Sequence, residues 1–166
     1  MNETKSFMKL TSAYFFGNIL SKLIVFFMLP LYTTYISPAN YGYYDLTITY
    51  VNFFSSILFL DIWSGTMRFM FDSTDFKDKL KTIYSASLIY GSSLILYVVT
   101  FSTLNAVIKV QYFPLVLLYG FSLTMQNWYG YIARGVGKSV LFASSGVIST
   151  FITVALNIVL IAWLKT

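Results

Sequence analysis

An all-α membrane protein of five antiparallel transmembrane helices is the fold class this sequence predicts, and three observations predict it. The first is composition: of 166 residues, 57% are hydrophobic, 20% are aromatic and only 10% are charged. Soluble domains carry about 25% charged residues, and a soluble chain this short leaves too much of its surface exposed to hide so much apolar area. The second is spacing. Residues 82–108, 110–133 and 139–164 contain no charge at all, in runs of 27, 24 and 26 residues, and a transmembrane helix needs about 20 predominantly apolar residues. The third is the placing of lysine and arginine, which gather in alternate connections.

Taken in order, the helices are expected at approximately 11–36, 44–67, 82–104, 112–133 and 140–164, in one transmembrane domain over 1–166. The first is interrupted by Lys22 and Pro30, the second by Asp45 and Asp61. Short connections make consecutive helices antiparallel hairpins. The N-terminal run is too long for a cleavable signal, contains a lysine, and is followed by no A-x-A-like site. One side of the membrane receives Lys5, Lys9, Arg68, Lys77, Lys79, Lys81, Arg134 and Lys138, and the other only Lys109 and Lys165. Eight against two puts the N-terminus in the cytoplasm and the C-terminus outside. "DSTDFKDKLK", residues 72–81, reads as the solvated start of the third helix, with Asp75 and Lys79 at i, i+4.

The composition also excludes chemistry. With no cysteine and no histidine, thiol nucleophiles, disulfides, imidazole bases and the usual zinc ligands are all missing. No nucleophile–base set or acid pair stands out, so neither an enzyme, nor a cofactor, nor a metal site is expected. The net charge of +5 is dispersed between apolar runs, which argues against nucleic acid as a partner. "RGVGKS", residues 134–139, imitates the tail of a phosphate-binding loop. The motif needs a glycine five residues before Gly137, where Ile132 stands, so the stretch reads as a tight interfacial turn. Trp63, Trp128 and Trp163, with Tyr35, Tyr41, Tyr43 and Tyr44, lie near helix ends and fit interfacial belts. Ser87 with Gly91, and Gly146 with Thr150, have the small-residue spacing of membrane helix contacts.

Charges inside the membrane are the functional signal. Lys22 lies ten residues beyond Ser12, roughly 15 Å along the helix and near the midplane, where a lysine costs about 2.5–3.5 kcal/mol on insertion scales. Tyr14, Asn18, Ser21, Lys22 and Val25 share one side of the helix wheel, a polar stripe suited to a cavity. Two readings fit: a substrate-binding cation with Asn18 and Ser21, or a structural lysine paired with Asp61. Pro30, two turns on, is expected to kink the helix, either as a gate or as architecture. In the second helix Asp61, Ser64, Gly65 and Arg68 share a side. Asp61 is a candidate ion-pair or coupling group. Arg68 either snorkels to headgroups or attracts phosphate at a cytoplasmic mouth. Gln126, Asn127 and Asn157 are available to bond a ligand or a neighbouring helix.

Three stretches together resemble the N-terminal part of bacterial oligosaccharide (O-antigen/polysaccharide) flippases, in the multidrug/oligosaccharidyl-lipid/polysaccharide exporter superfamily. They are "GNILSKLIVFFMLPLYTTYISPANYGYYDL" (17–46), "RFMFD" (68–72) and "IARGVGKSVLFASSGVISTFITVALNIVLI" (132–161). The resemblance implies two helical lobes rocking around a cationic cavity, turning a polyprenyl-pyrophosphate-linked oligosaccharide over the cytoplasmic (inner) membrane for surface polysaccharide biosynthesis. By the same resemblance Lys22 matches a basic position of the first helix, and Arg68 matches the arginine that ends the second. A chain stopping after its fifth helix is then expected to be an incomplete N-terminal lobe, with a C-terminal remainder or other polysaccharide-assembly proteins as partners. The alternatives are a drug/cation antiporter of the same superfamily and a non-transporting membrane fragment that binds partners.

Overall fold

The computed structural model describes residues 19, 22–23, 26–30 and 32–163, the side chains of 161 and 162 excepted. Among these residues there is no β-strand. Those between 19 and 35 are helical, and five further helices follow: α1 Pro38–Phe59, α2 Ile62–Asp72, α3 Phe76–Ile108, α4 Phe113–Gly135 and α5 Ser139–Trp163. Residues 11–18 of the expected first helix, and the stripe members Tyr14, Asn18, Ser21 and Val25, lie outside the described residues.

Local chemistry explains most of the boundaries. α1 opens with Pro38, whose missing amide costs nothing in the first turn. Ser37 Oγ before it accepts from the Asn40 amide at 3.3 Å, an N-cap. Asp75 caps α3 by accepting from the Lys77 amide at 3.2 Å, and Asp78 complements the first turn. That cap begins α3 six residues before the expected start. α3 ends where Lys109 turns left-handed (φ 53°), its amide on the Asn105 carbonyl at 2.9 Å. α4 carries a proline in its first turn. Its end accounts for "RGVGKS". The Lys138 amide bonds the Ala133 carbonyl at 2.8 Å and the Gly137 amide bonds the Arg134 carbonyl at 2.9 Å. That pair of bonds is a Schellman motif, and Gly137 takes its left-handed position (φ 84°). Gly137 is there to let the chain reverse.

The sequence predicts one continuous helix over 44–67, and here the structure differs. The chain breaks after Phe59: Leu60 and Asp61 both adopt positive φ (49° and 50°), and α1 and α2 are bent by 49° across the break.

The chain divides into two compact units, and the break lies inside one of them. One comprises 1–43 with 139–166, and the other is the contiguous segment 44–138. In the first, the Tyr32 and Tyr41 rings lie 6.4 Å apart and Met28 is buried. In the second, Val51, Phe59, Trp63, Tyr90, Tyr97, Phe101 and Trp128 form the core, with α2 packed on both α3 and α4. The aromatic faces interlock there. Tyr90 stacks on Trp128 at 4.8 Å and 13°, while Tyr97 meets Phe101 at 4.5 Å. Trp63 and Trp128 are therefore core residues rather than members of an interfacial belt, whereas Trp163 is exposed. The closest helix approaches among the described residues do not fall at the small-residue pairs. Among the described residues a Cβ on Gly91 or Gly146 would meet nothing within 4 Å, and the close approaches fall at Gly120 and Gly135.

By length and apolarity, α3 and α5 among the described residues suffice to cross a membrane, and the bent α1–α2 pair makes a third if counted as one span. α4 has 23 residues, but Gln126, Asn127 and its tyrosines dilute it.

Candidate functional site

The site is best built from the break at Leu60 and Asp61. The last turn of α1 leaves carbonyls without intrahelical partners, and α2 restarts with the Asp61 carbonyl accepting from the Ser64 amide at 2.9 Å and the Gly65 amide at 3.4 Å. The Asp61 side chain makes no cap bond and is exposed. Trp63, Thr66 and Met70 form the buried side of α2, at i, i+3 and i+7. The remaining side carries Asp61, Ser64, Gly65 and Arg68, as the sequence pattern implies. Arg68 is exposed, seven residues beyond Asp61 and about 10 Å along the axis.

This arrangement places an anion and a cation two turns apart on one open helical face. The Asp61 side chain sits at the meeting of two helix ends, the carbonyl end of α1 and the amide end of α2. The carbonyl end of α1 and the Asp61 carboxylate together suit a small cation. Arg68, with its fork of donors, suits a phosphate oxygen.

Lys22 is helical and exposed. It belongs to the unit formed by 1–43 and 139–166, whereas Asp61 and Arg68 belong to the 44–138 unit. The structure thus brings Asp61 and Arg68 onto one face, and the environment of Lys22 at Asn18 and Ser21 lies outside the described residues. Among the described residues no three His, Cys, Asp or Glu side chains come together as a metal-binding group.

No protein-family model matches the chain, and neither curated proteins nor solved structures give a match.

Sequence reasoning missed two features of this region. One is the clasp between the start of α3 and the end of α4: Lys79 Nζ donates to the Gly135 carbonyl at 3.3 Å, instead of pairing with Asp75 as the i, i+4 spacing suggests. Among the described residues the ion pair that forms is Lys81 with Asp78, at 2.8 Å. Arg134 meanwhile lies over the Tyr131 ring at 3.9 Å, a cation–π contact. The second feature is the break itself. "FLDIWS" contains neither glycine nor proline, so no turn signal marks it.

Proposed function

We propose that this chain is part of a transporter, and not an enzyme, that turns a lipid-linked oligosaccharide (a polyprenyl-pyrophosphate sugar) over the bacterial cytoplasmic (inner) membrane for surface polysaccharide biosynthesis. The observation that supports this most is the helix break at Leu60 and Asp61. Non-helical backbone at membrane depth is tolerated where it is buried in protein or lines a water-filled cavity, and discontinuous spans recur at transporter sites. The likeness of three stretches to the flippase family supplies the substrate. In this reading all five expected helices cross the bilayer, with the N-terminus cytoplasmic and the C-terminus outside. Lys22, Asn18 and Ser21 face the cavity, Arg68 stands at its cytoplasmic mouth, and the two cations draw the pyrophosphate. The partners are the bilayer, the lipid-linked oligosaccharide and the remaining lobe of the exporter.

Export of surface polysaccharide tests this directly. Lys22→Ala should abolish export while protein levels stay near normal, and Lys22→Arg should retain part of it. Normal export by Lys22→Ala defeats the cationic site, and disappearance of the protein favours a structural lysine paired with Asp61.

A second reading, the drug/cation antiporter, gains from one observation: Asp61 stands uncapped at the break. In that case Asp61→Asn removes cation-driven drug efflux and leaves polysaccharide untouched.

A further inference from the structure

A groove of about 400 Å³ runs between α2 and α3, wholly inside the 44–138 unit. Its exposed lining is mostly apolar, with Ile62 and Phe69 from α2 and Ile89 from α3, deepened by Gly65 and Ala86, and Thr66, Thr82 and Ser85 add hydroxyls. A Cβ on Gly65 would meet nothing within 4 Å, so the space there is open. α2 and α3 run antiparallel across the short turn at 73–75, so Phe69 and Lys81 lie at the turn end, and Ile62 and Ile89 at the far end. From Lys81 to Ile89 is about 12 Å of helix.

The two ends of the groove differ in charge. Lys81 lines the turn end, and around the turn Arg68, Lys77 and Lys79 stand with it, against Asp72, Asp75 and Asp78. The Lys81 side chain is 78% exposed and, among the described residues, pairs with Asp78 at 2.8 Å within one helix turn. Exposed pairs of this kind are weak, so Asp78 does not hold Lys81 against an anion at the groove end. The lysine and arginine bias of the whole chain assigns this turn to the cytoplasmic side, where the leaflet carries anionic headgroups that attract such residues.

We propose that the α2–α3 groove binds one hydrocarbon chain of an anionic phospholipid of the cytoplasmic leaflet, with the lipid phosphate at Lys81. A volume of about 400 Å³ falls at the small end of ligand pockets, which suits a single chain. A docked partner helix would have to bring an acid to the level of Lys81, whereas the leaflet supplies that anion at every position. The inference rests on the membrane character of the chain and holds whether or not it serves an exporter.

Native mass spectrometry of the full chain in detergent tests it, with phosphatidylglycerol, phosphatidylcholine of the same chains, and inorganic phosphate as separate probes. Phosphatidylglycerol is expected to stay bound, with phosphatidylcholine weaker by about fivefold or more, the worth of one basic residue against an anionic surface, and phosphate alone not retained. Lys81→Gln should weaken phosphatidylglycerol about fivefold and leave phosphatidylcholine unchanged. Gly65→Leu fills the groove without a Cβ clash, improves helix propensity, and should abolish retention of both lipids while far-ultraviolet circular dichroism stays unchanged. Should Gly65→Leu lose its helical signal, Ile89→Trp fills the groove from the opposite, exposed wall. Equal binding of the two lipids by the parent, or undiminished phosphatidylglycerol on a folded groove-filled variant, overturns the proposal. So does displacement of phosphatidylglycerol by phosphate alone, which would leave a headgroup-anion site without a chain groove. Lipid retention and polysaccharide export are read separately, so each reading fails on its own evidence.

Discussion

The Tyr97 hydroxyl fills the space that a side chain on Gly120 would need. A Cβ there would overlap the hydroxyl and stand 2.7 Å from Tyr97 Cζ and 2.9 Å from Val51 Cγ1. Three helices meet at this point: α1 through Val51, α3 through Tyr97 and α4 through Gly120. Tyr97 is wholly buried, and its hydroxyl donates to the Leu117 carbonyl at 3.4 Å.

Gly120→Ala should therefore destabilise the protein by about 1–3 kcal/mol, the usual cost of overpacking, read as a loss of thermal stability in detergent. Adding Tyr97→Phe should recover part of the loss by removing the overlapping hydroxyl. Gly135→Ala provides the contrast. Its Cβ would meet Met70 Sδ at 2.7 Å and Cε at 2.9 Å, the far end of an adaptable side chain, and Met70 Cβ at 3.2 Å, which must give by a few tenths of an ångström. It should cost under about 1 kcal/mol, and a cost equal to that of Gly120→Ala would mean that Met70 is locked.

At the helix break the expectation has the opposite sign. A left-handed backbone costs an L-residue about 1–2 kcal/mol, and Leu60 is 83% exposed, with little packing to lose. Leu60→Gly should leave stability unchanged or raise it by up to about 1 kcal/mol. A marked fall in melting temperature would show that α1 continues through position 60 in the membrane.

Much of this architecture was legible in the sequence, and particular residues show why. The uncharged runs behind α3, α4 and α5 are bounded by charges and by Pro114 and Gly137, all of which act locally. Asp61 and Arg68 share a face because helical spacing alone demands it. The break at Leu60 was illegible because it answers to tertiary packing. α2 turns its Trp63, Thr66 and Met70 side toward α3 and α4, and an apolar stretch carries no local mark of that demand. The same reason misplaces Trp63 and Trp128. An amphipathic ring near a helix end reads equally well as belt or core, and only the neighbouring Tyr90 and Phe59 rings decide it.

Orientation can be mapped cleanly because the chain has no cysteine. Single cysteines at Asn40, Asp75 and Lys138 should react with an impermeant maleimide from outside at Asn40, and from the cytoplasm at the other two. Lys138 is preferable to Gly137, whose φ of 84° disfavours a side chain. Labelling of Asp75 or Lys138 solely from outside would invert the topology and, with it, the leaflet assigned to the α2–α3 groove.

Lys79→Ala removes the amine that meets the Gly135 carbonyl at the end of α4. A cation at a helix C-terminus contributes about 0.3–1 kcal/mol at a surface, and a loss of that size is expected in the same melt. Lys79→Arg should keep most of it, whereas Lys79→Gln keeps at most the neutral hydrogen bond. A larger loss for Lys79→Arg than for Lys79→Ala would show that the contact depends on amine shape and not on charge.

The division of the chain into a contiguous segment, 44–138, and a unit assembled from 1–43 and 139–166 has a consequence in time. A ribosome completes the first before it has translated the second part of the other. At about 5–20 residues per second, residues 139–166 take roughly one to six seconds to make. Throughout that interval the aromatic cluster around Tyr97 has every residue it needs. A nascent chain stalled far enough beyond Lys138 to clear the exit tunnel should already shield Trp63 and Trp128 from quenchers.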